Sequence, residues 1–170
     1  MKAADHSANT FQHEYLGAEH LLLGILNTRK GIAVTAMENV GIATNHVRHA
    51  LEAKMISGPS SPPKRKPTTP SAKKIIEHAM TEAQHCGHRC VGTGHLLLGL
   101  LASGQTLPNE VLRSVGVVED KIRPEIIRLH EHASAALHDD LVPSESEPSV
   151  FYRIGRWLRR KTKRNSANEE

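Results

Sequence analysis

Between residues 75 and 83 the apolar side chains Ile75, Ile76, Ala79, Met80 and Ala83 return every three or four positions, which predicts a helix with one buried face. Thr69 is placed to cap it, Pro70 suits its first turn and Gly87 marks its end. Residues 95–101 are apolar on nearly every side and predict a short helix enclosed by its neighbours, with Gly99 permitting a close crossing. A third helix is expected at about 108–115, stopping at Gly116. A fourth is expected at about 119–137, with Ile122, Ile126 and Leu129 on one face.

The same order occurs earlier in the chain. Tyr15-Leu16-Gly17-Ala18-Glu19-His20-Leu21-Leu22-Leu23-Gly24-Ile25-Leu26 lies over Cys90-Val91-Gly92-Thr93-Gly94-His95-Leu96-Leu97-Leu98-Gly99-Leu100-Leu101, identical at seven of twelve positions. The offset of 75 residues continues without a gap, pairing Met37 with Leu112, Val47 with Ile122 and Leu51 with Ile126. This is an internal duplication, and it predicts helices near 17–27, 32–40 and 44–56. The opening helix differs: Met1 falls opposite Ile76, so about two turns of the second copy have no counterpart in the first.

These patterns divide the chain into a first repeat at 1–56 and a second at 69–138. Between them, 57–68 is a proline-rich linker, expected to be exposed and extended because proline removes backbone donors. An acidic and proline-containing break at 139–148 precedes a basic tail at 149–170.

Composition narrows the classes. The chain has 170 residues, 38% hydrophobic and 3% aromatic, so its core must be built mainly from aliphatic side chains, and this suits helices. No run approaches the roughly 18 apolar residues of a membrane span, and residues 1–6 lack the apolar stretch of a secretory signal, so the cytoplasm is the expected compartment. Cys86 and Cys90 stand too close in sequence to staple distant parts of a fold, which fits a reducing environment. The formal charge of +4 is concentrated in the tail, where residues 149–170 carry seven Arg or Lys against two Glu.

The paired Gly17-Ala18-Glu19-His20-Leu21-Leu22-Leu23-Gly24 and Gly92-Thr93-Gly94-His95-Leu96-Leu97-Leu98-Gly99 resemble the duplicated motif of the amino-terminal domain of ClpA- and ClpC-type AAA+ unfoldases. Thr69-Pro70-Ser71-Ala72-Lys73-Lys74-Ile75-Ile76 resembles that family's opening of the second repeat. The resemblance implies an all-α, pseudo-twofold bundle of two four-helix Clp repeats that binds adaptors and substrates and passes them to an ATPase ring. No Gly-x-x-x-x-Gly-Lys-Ser/Thr occurs in the chain, so no nucleotide hydrolysis and no cofactor are expected. The implied role is a non-enzymatic adaptor or regulator whose partners are Clp ATPase and protease components or their protein substrates. In relatives that recognise phosphoarginine, a Glu in each repeat pairs with the guanidinium, since a carboxylate accepts two parallel hydrogen bonds from that planar group. Glu19 matches this position in the first repeat. In the second repeat it is Gly94, beside Thr93, and glycine has no side chain to offer.

Two further groups of residues invite chemistry. His85, Cys86, His88 and Cys90 are metal-like in type, but the cysteines stand opposite Phe11 and Tyr15, so buried core positions are expected rather than a metal site. His13 and His88 match across the repeats, as do His20 and His95, and predict structural histidines at helix ends. In the tail, Phe151, Ile154, Trp157 and Leu158 share one helical face, while Arg153, Arg156, Arg159 and Arg160 supply positive charge. Such a segment can fold back on its own domain over apolar surface left by the missing turns, or dock on an acidic protein. It can also lie on an anionic membrane surface, the basis of an alternative role as a peripheral anchor. Nucleic-acid phosphates come last among its partners.

Overall fold

The computed structural model describes residues 2–28, 31–58, 63 and 66–139, with side chains as far as 133. The helices are α1 (Lys2–Thr10), α2 (Ala18–Leu26), α3 (Ile32–Asn39), α4 (Thr44–Glu52), α5 (Pro70–His85), α6 (Thr93–Ala102), α7 (Leu107–Ser114) and α8 (Glu119–Asp139). No strand occurs among the described residues; the fold is all-α. The duplication is exact at the helix starts: α2, α3 and α4 begin 75 residues before α6, α7 and α8. The predicted basic helix at 149–170 and the break before it lie outside the described residues.

Local chemistry sets the ends. The Thr69 hydroxyl accepts from the Ala72 N–H at 3.2 Å, with Pro70 opening α5, as the sequence predicts. After α3 and α7 the chain turns through Gly41 and Gly116 at φ of 82° and 87°. There the Ile42 and Val117 N–H groups return to the Met37 and Leu112 carbonyls at 2.9 and 2.8 Å, one closing bond used twice. The expected helix at 44–56 stops early, at Glu52. The chain beyond it is bonded elsewhere: the Ile56 carbonyl accepts from His13 at 2.7 Å and the Gly58 N–H donates to Phe11 at 2.9 Å. Both groups are thus drawn to the corner between α1 and α2.

The repeats are interlocked. α3 packs mainly on α6 and α8, whereas α7 packs mainly on α4 and α2, so each repeat's third helix is held largely by the other repeat. One continuous core results, with Leu22, Leu23, Ile25, Met37 and Leu51 joined to Ile75, Leu97, Leu98, Leu112, Ile122 and Ile126. The two ends of the proline-rich segment are tied down rather than free. Leu16 bridges Thr68 through N–H and carbonyl bonds to Pro67 and Thr69 at 2.8 and 3.0 Å. The Lys66 ammonium donates to Asn9 at 2.5 Å and to Asp5 at 3.3 Å on α1.

Candidate functional site

Both apolar helices, α2 and α6, start with the same histidine relay. At α2 the Gly17 N–H donates to His20 Nδ1 at 2.9 Å, which leaves the imidazole proton on Nε2. That proton is donated to His13 Nδ1 at 2.8 Å, and His13 Nε2–H in turn meets the Ile56 carbonyl. Every tautomer is therefore fixed by the bond before it. At α6 the Gly92 N–H, His95 and His88 repeat the arrangement at 3.0 and 2.9 Å. His20 and His95 are fully buried. Burial, followed by the neighbouring imidazoles, pushes both down to about 4, so they are neutral near pH 7. These are structural histidines at helix ends, as the repeat predicts.

The two matched ligand positions have become different structures. Glu19 folds back over Gly17 at the positive end of α2, its side chain 16% exposed and its carboxylate 3.4 Å from His20 Nδ1. That nitrogen carries no proton, so the contact is not an ion pair. Gly94 is filled from outside: a Cβ there would lie 2.9 Å from Ile126 Cγ2, 3.1 Å from Ile32 Cγ2 and 3.2 Å from His130 Nε2. Helix α8 crosses where a second ligand group would need room. Gly94→Glu should therefore lower stability by about 2 kcal/mol or more in urea unfolding, although leaving glycine favours a helix. An unchanged midpoint would show that α8 does not occupy this place.

Thr93 serves the junction between repeats. Its hydroxyl accepts from the Ala33 N–H near the start of α3 at 3.3 Å, a cap supplied by the other repeat. The mirrored position has no such need, because Ala18 stands for Thr93 and Pro108, which lacks an N–H, stands for Ala33.

Beside Thr93 an apolar groove of about 240 Å³ opens between α1, α2, α5 and α6. Its floor is Leu21, Gly24, Ile25, Ile76 and Leu96, and Lys2 and Ala3 form one rim. In the second repeat the equivalent ground is covered by the first turns of α5, where Ala72 and Ile75 are wholly buried. In the first repeat the opening helix, α1, spans nine residues against sixteen in α5. Only packing shows a groove shared by both repeats.

The cysteines depart from expectation: Cys86 is half-buried and Cys90 exposed, and the first-repeat residue opposite Cys90, Tyr15, is likewise 42% exposed. Cys86, His88 and His95 each bring one donor atom within 4.8 Å of the others. Coordination by His95 Nε2 would move its proton to Nδ1, against the Gly92 N–H, and this opposes metal binding. Phe151, Arg156, Trp157, Arg159 and Arg160 lie outside the described residues.

The described residues thus form an interlocked pair of all-α repeats with an apolar groove at their junction. The model of the Clp repeat N-terminal domain matches residues 1–115 and 68–153, and the chain belongs to this family. It is 36% identical over 117 residues to the chaperone protein ClpB of Oceanobacillus iheyensis, covering 69% of this chain and 14% of the relative. It is 35% identical over 126 residues to the negative regulator of genetic competence ClpC/MecB of Bacillus subtilis, covering 74% and 15%. The chain thus spans only about a seventh of the length of these relatives. Among solved structures, the Hsp104 N-terminal domain from Candida albicans superposes with a TM-score of 0.64 at 19% identity, covering 76% of this chain and 85% of that one. In Clp ATPases this domain is a protein-interaction element and not the catalytic one. No helix among the described residues is long and apolar enough to cross a membrane.

Proposed function

We propose that this chain is a non-enzymatic docking module that binds a Clp unfoldase or protease component, or a client of one, through the groove between its repeats. The observation that carries this reading is the groove itself, about 240 Å³ and lined by the edges of the otherwise buried Leu21, Ile25, Ile76 and Leu96. Family membership supports the class of partner. Thr93, at the start of α6, stands on the groove wall, and Glu19 stands at the matching start of α2. A single phosphoarginine position centred on Glu19 is the finer version of this reading; Gly94 offers no second one.

A photocrosslinking residue at Ala3, on the groove rim, tests the role in cells. The expected result is capture of a Clp subunit or of a protein that accumulates when Clp proteolysis is blocked. Recovery of neither, with an active crosslinker at normal expression, rejects the reading.

A further inference from the structure

We propose that the backbone of Val91, in the turn between α5 and α6, is a docking edge for an extended peptide of another protein, which pairs with it as residues 66–69 of this chain pair with Leu16. Val91, Met80 and Gln84, which form this edge, do not line the groove, so the edge stands whether or not a Clp partner docks there.

The two repeats build the same corner here. The ring-to-ring bonds of His13 with His20 and of His88 with His95 measure 2.8 and 2.9 Å, and Ala4 and Ala79 hold the same place over Gly24 and Gly99. Leu16 and Val91 occupy the matched position just before the apolar helices. In the first repeat that position carries an extended segment: the Leu16 N–H donates to the Pro67 carbonyl and the Leu16 carbonyl accepts from the Thr69 N–H, a parallel bridge across Thr68. In the second, nothing among the described residues pairs with the Val91 N–H or carbonyl. Burial follows the same division, since Leu16 is 5% exposed whereas Val91 is only half-buried. A donor and an acceptor left open on one extended residue are what an added peptide strand uses.

The flanking residues decide which peptide fits. In the occupied copy Lys66, one residue before the acceptor Pro67, reaches Asp5 and Asn9 on α1. The matched residues on α5 are Met80, partly buried against the core, and Gln84, which is exposed. The carboxylate is gone, so the ligand residue at the place of Lys66 is apolar and lies on the pliable thioether. The next residue offers only its carbonyl, and proline there favours the extended chain. The residue two further on donates its N–H to Val91 and so is not proline. The edge therefore selects an extended segment that reads apolar, proline, any residue, then any residue but proline.

The probe is a capped tetrapeptide with the sequence of residues 66–69, leucine replacing the lysine, titrated into the isotope-labelled full chain and followed by nuclear magnetic resonance. The Val91 amide and the Met80 methyl should shift together and saturably, while the Leu16 amide, already bonded, stays in place. The same peptide N-methylated at its fourth residue should bind about fivefold more weakly, the loss of one neutral hydrogen bond. The lysine peptide should also bind more weakly than the leucine one, and Met80→Asp, which recreates the Asp5–Lys66 pairing in the second repeat, should reverse that order. If this variant does not fold, the peptide series on the unmodified chain decides alone. No saturable shift at Val91 up to millimolar peptide overturns the proposal. So does equal binding of the N-methylated peptide, which removes the backbone pairing, or shifts confined to Leu21 and Ile25, which seat the peptide in the groove. A Val91 amide that exchanges as slowly as that of Leu16 in the chain alone also overturns it, because the edge is then already covered. Capture of a Clp partner by the crosslinker at Ala3 is independent of all these outcomes.

Discussion

Replacing Gly99 by alanine should destabilise the protein by about 2 kcal/mol, a change that in an open helix would stabilise it by about 1 kcal/mol. The reason lies in the crossing of α5 over α6. A Cβ on Gly99 would stand 2.5 Å from the Ile75 carbonyl oxygen and 3.0 Å from the Ala79 nitrogen, both backbone atoms of α5. Neither can rotate away as a side-chain tip can, so the helices must separate and loosen the contacts of Leu97, Leu98 and Leu100 beneath them. The matched change Gly24→Ala should cost less, since its nearest neighbour is the Ala4 nitrogen at 3.0 Å and α1 is the shorter helix. Urea unfolding of the two variants side by side checks the order. Equal stabilisation by both would mean that the helices do not cross this closely.

His20→Leu should cost about 3 kcal/mol at pH 7.5, although leucine matches the size of the imidazole and removes a polar group from the core. The substitution strips the Gly17 N–H of its acceptor and leaves His13 Nδ1 without its donor, and each buried orphan costs about 1–3 kcal/mol. Acid should act on the unmodified protein through the same residue. His20 titrates at about 4 when folded, because burial and the nearby His13 oppose its charge, against 6.5 when free. The unfolded chain therefore takes up the proton first as pH falls. The stability tied to neutral His20 is complete above about pH 6.5 and is lost between there and about pH 4, at no more than about 1.4 kcal/mol per pH unit for one proton. His20→Leu should flatten that part of the profile, as read from unfolding midpoints between pH 7.5 and 4.5. A variant as steep as the parent would remove His20 from the account.

The elements were legible because the chain states most of them twice. Seven of twelve identities at one offset fix which residues face inward, and Thr69-Pro70, Gly41 and Gly116 punctuate the helices with residues whose backbone chemistry serves no other purpose as well. What stayed hidden depends on distance in space. The histidines at 13 and 20, and again at 88 and 95, matched across the repeats, but nothing in a seven-residue spacing over a turn reveals that each pair is bonded ring to ring. Their recurrence in both copies was the available signal. The end of α4 was misjudged because the groups that capture its continuation belong to the α1–α2 corner. The cysteines were misjudged because aromatic counterparts were taken to be buried, whereas Tyr15 stacks on His13 at 5.3 Å with one face open to solvent.

The matched ligand positions show the same limit. The loss of a side chain at Gly94 could be read directly, but not that α8 had taken the space through Ile126 and His130. Likewise, the offset aligned the two repeats, while the groove joins Leu21 and Ile25 of the first to Ile76 and Leu96 of the second.

The most direct test of a docking role is the rate at which a purified Clp unfoldase–protease from the same cell degrades a labelled client as this chain is added. The docking account predicts a saturable change in that rate, up or down, that Ala3→Arg abolishes without altering the fold. A rate that stays constant to saturating concentrations of the intact chain, and is equally unmoved by the variant, contradicts it.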